Sequence, residues 1–193
     1  MKNEVASKMM IKGVHTVRFY DTSLPGYAEL EAELNELIAT RAERSQEIQS
    51  LRYGQLMGRL QRFKTRERVV HNLITTVGRS VLAQRLANTT TYTGIINYGA
   101  LGSSATAVNN SDTQCGTEVF RKVVASSSYT TNTAFIDFFY AKADTNGTYQ
   151  EFGTFIDGTA SANTGQMFTH ALTGGWTKSS SESMTVSCQY TIT

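Results

Sequence analysis

The sequence has few of the residues that build disulfide frameworks, zinc sites or membrane spans. Its two cysteines, Cys115 and Cys188, lack the C-x-x-C and histidine spacings that are typical of zinc sites. No run approaches the ~18 consecutive apolar residues of a membrane span, and no continuous apolar stretch follows the lysines near residue 1. We therefore expect synthesis in a cytoplasm, no membrane insertion, no disulfide framework, no metal site and no cofactor.

Charge is also scarce, and it is unevenly distributed. Only 18% of the residues are charged and the one proline is Pro25, whereas the chain holds nine Tyr and nine Phe. Residues 1–88 contain fourteen Lys and Arg against nine Asp and Glu, and residues 89–193 contain four against seven. Low charge with many Thr, Ser, Asn and Gly favours β-structure with polar faces. The change in composition at Asn88 predicts a boundary between two different parts.

The part before this boundary is predicted to be an extended arm followed by helices. Val17 and Phe19 alternate with polar residues, which predicts a strand within an arm of residues 1–22. We expect this strand to pair outside itself, for example by docking onto a neighbouring subunit. Ser23 as N-cap and Pro25 in the first turn then predict the start of a helical assembly segment over residues 23–88.

The helical segment carries a stripe of apolar residues that needs a partner. Arg41 and Arg44 interrupt the heptad, so the pattern fits either an interrupted coiled coil or a helical hairpin. A last amphipathic helix is predicted from His71. We expect the stripe to form the assembly interface, and its residues are Leu30, Leu34, Leu37, Ile48 and Leu51.

The second half of the helical segment is strongly basic. Glu67 is the only acidic residue between Arg52 and Arg68. A basic helical face can bind phosphate or an acidic protein surface, although a solvated helix face gives the same pattern. The residues predicted for such a contact are Arg59, Arg62 and Arg66.

Residues 89–193 predict a β-domain. Six apolar or alternating segments are separated by runs of turn-forming residues, which is typical of an antiparallel β-sandwich. In the last segment, Met184, Val186 and Cys188 fall on one face of a half-buried strand. Trp176, the only tryptophan, is a candidate for display to a sugar or a partner, or for core packing. The whole chain is predicted to be α+β, with an N-terminal strand, a helical coiled-coil or hairpin segment, and an antiparallel β-sandwich.

The sequence contains no recognisable set of catalytic residues. Asp137, Glu151 and Asp157 are candidates for the carboxylate pair of a glycosidase, but nothing in the sequence brings two of them together. The stretch DTNGT lacks the later ligands of a calcium loop, and no nucleophile-elbow or phosphate-loop motif occurs. We therefore expect a protein that is not an enzyme.

Several short motifs punctuate residues 95–193. They are an ALG turn, an Asp-Thr loop before an acidic-x-x-Arg strand, an Asn-Gly turn, a Glu-x-Gly strand and a closing strand after a lysine. Their residues are Ala100, Leu101, Gly102, Asp112, Thr113, Glu118, Arg121, Asn146, Gly147, Glu151, Gly153, Phe155, Lys178, Met184 and Val186. This pattern, called here the phage-type motifs, resembles the recurrent β-domain of bacteriophage virion proteins, particularly tail-fibre and baseplate-associated ones.

The resemblance implies a structural protein of the virion that is made in the host cytoplasm and assembles with other virion proteins. Fibres of this family ordinarily form trimers, so a homo-oligomer is expected, with the trimer favoured. The β-domain would serve packing or display towards the host surface, where a glycan is a candidate ligand. The alternatives are a capsid decoration or collar protein, a nucleic-acid-binding accessory protein and a carbohydrate-active enzyme. The acidic balance of residues 89–193 disfavours nucleic acid.

Overall fold

The computed structural model describes residues 10–193, which form nine β-strands and three α-helices. In chain order these are β1 (Ile11–Asp21), α1 (Tyr27–Ala39), α2 (Gln46–Leu60), β2 (Lys64–Ile74), α3 (Thr76–Leu86), β3 (Ile96–Gly102), β4 (Glu118–Val123), β5 (Ser126–Thr130), β6 (Thr133–Tyr140), β7 (Gly147–Ile156), β8 (Gln166–Lys178) and β9 (Glu182–Ile192). Single turns of 3₁₀ helix follow α1 and α2. None of the helices in this part of the chain is long and apolar enough to cross a membrane.

The nine strands form one antiparallel sheet in the order β4-β3-β7-β8-β2-β1-β9-β6-β5. The sheet curls, and its two edge strands are joined by only Val124 and Ala125. The N–H of Val124 donates to the carbonyl of Asn97 on β3 (3.0 Å), and the N–H of Ala125 donates to the carbonyl of Asp137 on β6 (2.7 Å). These two residues therefore form hydrogen bonds with both halves of the sheet. The predicted α+β class is confirmed, but residues 10–193 form a curled sheet rather than two sandwiched sheets.

The main core lies inside the curl. Phe138 on β6 and Phe152 on β7 belong to opposite halves of the sheet, yet their ring centroids are 5.7 Å apart. Trp176 on β8 is fully buried against Phe152. The last strand contributes the alternating residues that the sequence predicted to face inward, and Met184 and Val186 are both fully buried. Period-two alternation thus predicted the inner face of this strand correctly.

The helices α1 and α2 form an antiparallel hairpin on the outer face of β1, β9 and β6. Contacts between Leu37 and Gln49, and between Glu33 and Arg59, set the two helices in opposite directions. Within residues 10–193 there is no coiled coil, and the hairpin is the one of the two predicted arrangements that occurs. It buries a second apolar cluster on the sheet, consisting of Tyr20, Tyr27, Leu30, Leu34, Leu37, Tyr53, Leu56, Leu60, Phe63, Ala125, Phe139 and Ala141.

The predicted apolar stripe is not continuous between the two helices. Leu30, Leu34 and Leu37 are buried against the chain's own sheet, whereas Ile48 is 52% exposed and Leu51 is 64% exposed. The break occurs because the chain leaves the helical conformation at Arg44 and a new helix begins at its N-cap, Ser45. The new helix turns a different face to the sheet. The prediction that all five residues share one interface is therefore wrong.

The region after α2 is a strand, although the sequence predicted a helical segment there. Residues of β2 pair with β1 over most of their length, for example Val69 with Thr16, and His71 lies exposed on this strand. The following helix begins after Thr75, whose hydroxyl accepts a hydrogen bond from the N–H of Gly78 (3.0 Å). Pairing with β1 overrides the helix propensity of the basic residues, because local propensity is weak compared with tertiary contacts.

The predicted N-terminal arm is an internal strand rather than a docking device. β1 pairs with β2 on one side and with β9 on the other, so Val17 lies opposite both Arg68 and Val186. Residues 1–9 of the predicted arm lie outside the described residues. Because β1 and β2 share a sheet with β3–β9, strands from both sides of Asn88 build one core.

Candidate functional site

The outer face of β3, β7 and β8 is covered by the long loop of residues 103–117, which is called here the cover loop. The carboxylate of Glu151 on β7 holds this loop by accepting three backbone N–H groups. They belong to Ser104 (3.2 Å), Gly116 (2.9 Å) and Thr117 (2.9 Å). Glu151 is only 1% exposed. The three hydrogen bonds therefore compensate for removing its carboxylate from water. One buried carboxylate therefore fixes both ends of the cover loop.

A buried histidine lies between Glu151 and a second carboxylate. On β8, Nε2 of His170 is 2.8 Å from Glu151, and Nδ1 is 2.7 Å from Asp112 in the cover loop. A neutral imidazole has one N–H and one lone pair, so it can donate to only one of these carboxylates. With a neutral histidine, the other nitrogen–carboxylate contact has no hydrogen atom. A second proton on the ring, or a metal ion between the nitrogen and the oxygen, would satisfy that contact.

Cys115 completes this cluster. Its Sγ, a carboxylate oxygen of Glu151 and a ring nitrogen of His170 lie within 4.8 Å of one another. Burial raises the pKa of the Cys115 thiol, and the nearby Glu151 and Glu118 carboxylates raise it further. A free thiol in this position stays protonated, and the nearest histidine nitrogen already contacts Glu151. The group therefore lacks the features of a cysteine nucleophile activated by a histidine.

Two glycines of the phage-type motifs make room for this cluster. A Cβ atom at Gly102 would collide with the carboxylate of Glu151. A Cβ atom at Gly153 would lie 3.2 Å from Sγ of Cys115 and 2.9 Å from the terminal methyl of Met167. The ALG motif forms the end of β3 and is not the predicted turn. This motif and the Glu-x-Gly strand have a common physical role, because both allow the cover loop to approach the sheet closely.

Two further phage-type motifs hold other loops. Glu118 and Arg121 form a buried ion pair (2.6 Å), and Arg121 also donates to the carbonyls of Thr159 (3.0 Å) and Thr164 (3.1 Å). At the other end of the sheet, the buried ammonium of Lys178 donates to the side chain of Asn146 (2.8 Å). These residues tie turns to strands.

The three predicted basic contact residues lie on three different elements. Arg59 on α2 pairs with Glu33 at 2.6 and 2.9 Å, and Arg62 stacks its guanidinium 4.6 Å from the ring centroid of Phe63. Arg66 is on β2, where it pairs with Glu182 and covers the ring of Phe19. The prediction of a single basic helical face is wrong, because the chain changes from helix to strand at Lys64.

Trp176 is not a display residue. It is fully buried, and its ring centroid lies 5.7 Å from that of Phe152 in the main core. The preceding Gly174 and Gly175 both adopt positive φ, at 68° and 88°. They form a local irregularity in β8 after which Trp176 points inward. Of the two roles that the sequence left open, core packing is the one observed.

The three candidate glycosidase carboxylates are dispersed. Asp157 accepts hydrogen bonds from the N–H (2.8 Å) and the hydroxyl of Thr93. Glu151 and Asp157 lie six residues apart on and just beyond β7, which at about 3.3 Å per residue separates them by roughly 20 Å. Asp137 is on the face of β6 covered by the helical hairpin. Glu151 and Asp157 are thus farther apart than the roughly 5 to 10 Å that a glycosidase needs, and Asp137 lies on a different strand.

An open apolar groove of about 420 Å³, called here the end groove, lies at one end of the curled sheet. Its rim includes Ile95, Tyr129 and Ile192, which are 60%, 79% and 47% exposed. Exposed apolar residues grouped in this way are typical of interaction surfaces. None of these residues is a binding candidate from the sequence alone.

Comparisons of the chain with protein-family models, with curated proteins and with solved structures gave no match. The functional interpretation therefore depends on the geometry of the described residues and on the phage-type motifs.

Proposed function

We propose that this protein is a non-enzymatic structural component of a bacteriophage particle, associated with a tail fibre or baseplate. The observation that carries the proposal is the placement of the phage-type motifs. Glu151, Asp112, Gly102 and Gly153 converge on the cover loop, and Lys178 meets Asn146 at a turn. Residues that carry the resemblance thus support the β-fold together.

The surroundings of the candidate reactive groups support a structural role. Glu151 and His170 are buried beneath the cover loop, and Cys115 is only 6% exposed. The carboxylates proposed for glycoside hydrolysis are dispersed over different faces. The carbohydrate-active enzyme is therefore the less supported alternative.

Assembly with other virion proteins, or with copies of this chain, is proposed to use the end groove and the outer face of α2. Ile95 and Tyr129 are exposed on the groove rim, and Ile48 and Leu51 are exposed on α2. Leu30, Leu34 and Leu37 have no part in this surface because they are buried inside the protein. A trimer remains the favoured oligomer, as the resemblance implies.

Mass spectrometry of gradient-purified particles from the phage that encodes this chain tests the proposal. We expect the protein in every particle at a fixed copy number, and immunogold labelling at the tail tip. Labelling of the head or neck would favour the capsid decoration or collar alternative. Absence of the protein from purified particles would overturn the virion proposal.

Light scattering of the full chain tests the assembly surface. We expect an oligomer that Ile95→Asp dissociates, because the new charge would be buried in the groove contact. Val69→Asp is the matched control, since Val69 is 56% exposed on β2 and does not line the groove. Equal masses for the two variants would rule out the end groove as the contact.

The nucleic-acid alternative receives little support from the basic residues. Arg59 and Arg66 have carboxylate partners within the chain, and Arg62 covers an aromatic ring. A protein that neutralises several phosphates binds with an affinity that falls steeply with salt. We expect no such binding to duplex DNA at 50 mM salt or above, which gel-shift titration checks.

A further inference from the structure

The buried cluster at the cover loop contains three donor atoms of different chemistry. They are the thiol of Cys115, a carboxylate oxygen of Glu151 and Nε2 of His170, and all lie within 4.8 Å of one another. Sulfur, nitrogen and oxygen donors together suit zinc and neighbouring transition metals, whereas magnesium and calcium prefer oxygen alone. Tetrahedral bonds of about 2.0 to 2.3 Å place such donors roughly 3.3 to 3.8 Å apart. To reach that spacing, the 2.8 Å between Nε2 of His170 and the Glu151 oxygen would have to lengthen, and any separation near 4.8 Å would have to shorten.

The surrounding residues already have the arrangement that orients metal ligands. Asp112 contacts Nδ1 of His170 at 2.7 Å, which leaves Nε2 directed at the cluster. The carboxylate of Glu151 is fixed by the N–H groups of Ser104, Gly116 and Thr117. A carboxylate behind the histidine and hydrogen bonds to the ligating carboxylate are both common features of metal sites.

The charge balance of the cluster also favours a cation. Asp112 and Glu151 bring two carboxylates to one histidine that can donate to only one of them in its neutral form. A metal ion at Nε2 removes this mismatch, because Nε2 then presents its lone pair to the metal while Nδ1 donates to Asp112. The lone pair of Nε2 then faces the metal ion and no longer a carboxylate oxygen of Glu151.

We propose that Cys115, Glu151 and His170 bind one divalent transition-metal ion, with zinc the best fit, and that the ion fastens the cover loop to β7 and β8. Cys115 is in the loop, Glu151 is on β7 and His170 is on β8, so one ion would link three elements. On binding, the thiol releases its proton to solvent and the sulfur binds as thiolate. All three ligands are buried, and with three protein ligands the fourth position of a tetrahedral zinc ion would hold a water molecule.

The test uses the full chain, purified in EDTA, dialysed and titrated with zinc by calorimetry. We expect one equivalent to bind, and Cys115→Ser and His170→Gln to weaken binding by more than about a hundredfold. Asp112→Asn is expected to weaken it about 10- to 100-fold, since Asp112 only orients the histidine. Cys188→Ser and His71→Gln are matched controls, because Cys188 lies in the main core and His71 is exposed on β2, and both should bind as the wild type does.

Two measurements on the wild type keep the test decisive if a variant does not fold. Cobalt in place of zinc should give the near-ultraviolet absorption of thiolate coordination, and zinc should slow hydrogen exchange at Gly116 and Thr117. A wild type that binds no zinc, or cobalt binding without the thiolate band, would overturn the site. Undiminished zinc binding by Cys115→Ser would do the same, and unchanged exchange at the loop would overturn the fastening role.

Discussion

The ammonium of Lys178 donates a hydrogen bond of 2.8 Å to the side-chain oxygen of Asn146, and its other acceptor is the carbonyl of Lys142 at 3.3 Å. Lys178 is only 1% exposed, and burial lowers its pKa below the usual lysine value. Gly147, the residue after Asn146, pairs with Lys178 across β7 and β8. The turn between β6 and β7 is thus fixed by a buried cation at the end of β8.

Asn146→Ala is expected to reduce the free energy of unfolding by about 1 to 3 kcal/mol, because it leaves a buried ammonium without its shorter hydrogen bond. Urea denaturation followed by the fluorescence of buried Trp176 measures the change. Asn110→Ala is the control, since Asn110 is an exposed loop residue. Equal stability of the two variants would contradict a structural role for the Lys178 contact.

Leu34→Ala is expected to destabilise the protein by about 2 to 5 kcal/mol, because Leu34 is fully buried between the hairpin and the sheet. Leu51→Ala on α2 removes the same atoms from a side chain that is 64% exposed, and its effect should stay within about 0.5 kcal/mol. Chemical denaturation of both variants at a concentration where the chain is monomeric makes the comparison. Equal losses of stability would indicate that Leu51 packs as Leu34 does, as the continuous apolar stripe predicted.

His15 is expected to make the protein sensitive to acid. Burial lowers its pKa to about 3, from about 6.5 in the unfolded chain. It faces the hydroxyls of Tyr190 (3.3 Å) and Thr169 (3.5 Å) and the ring of Phe152, with no carboxylate among these contacts. The unfolded state binds the proton more tightly, so this contribution to stability is complete above pH 6.5 and is lost as the pH falls towards 3.

His15→Leu should reduce the dependence of the free energy of unfolding on pH between about pH 3 and 6.5. One titrating group contributes a slope of up to about 1.4 kcal/mol per pH unit. His71→Leu should keep the slope, because His71 is exposed on β2. Urea midpoints between pH 4 and pH 7 give both profiles. An unchanged slope in His15→Leu would assign the acid sensitivity to another group.

Asp137 is expected to act in the opposite direction. Burial under the hairpin raises its pKa to about 6, although Ser187 and Arg18 oppose the shift. The folded state binds this proton more tightly, so its stabilising effect is present below pH 4 and is lost as the pH rises from about 4 to 6. Near neutral pH the ionised carboxylate therefore costs stability.

Asp137→Asn should raise the free energy of unfolding at pH 7 by about 1 to 3 kcal/mol relative to the wild type, and by less at pH 4. Glu43→Gln, at an exposed position between α1 and α2, is the control and should change stability by less than about 0.5 kcal/mol at both pH values. Denaturation at pH 4, 5, 6 and 7 tests this. A difference independent of pH would indicate altered packing instead of a titration effect.

The strands were predictable wherever burial follows a local period. Met184 and Val186 alternate with polar residues, and their strand occurs where predicted. One of the six predicted segments, residues 117–129, forms the two strands β4 and β5, because the chain passes from one edge of the sheet to the other at Val124 and Ala125. β2 was predicted as helix, since nothing local indicates that β1 needs a partner there.

The candidate site was less predictable because its parts are far apart in the sequence. Asp112 and His170 are 58 positions apart, and Glu151 and His170 are 19 apart on neighbouring strands. A local signal is His170 in the strand segment QMFTHAL, where it alternates with Phe168 and Leu172 on one face. The sequence left both display and core packing open for Trp176, which is fully buried after two glycines of positive φ in β8.

The pairing of β1 with β9 has a consequence for the order of folding. Arg18 and Ser187 make contact across this pair although they are 169 positions apart in the sequence. Contacts of such high sequence separation form slowly, because a long segment of chain must lose its freedom before they contribute. A nascent chain on the ribosome would expose one edge of β1 until the residues of β9 had emerged. The centre of the sheet is therefore completed last, after most of the polypeptide has been synthesised.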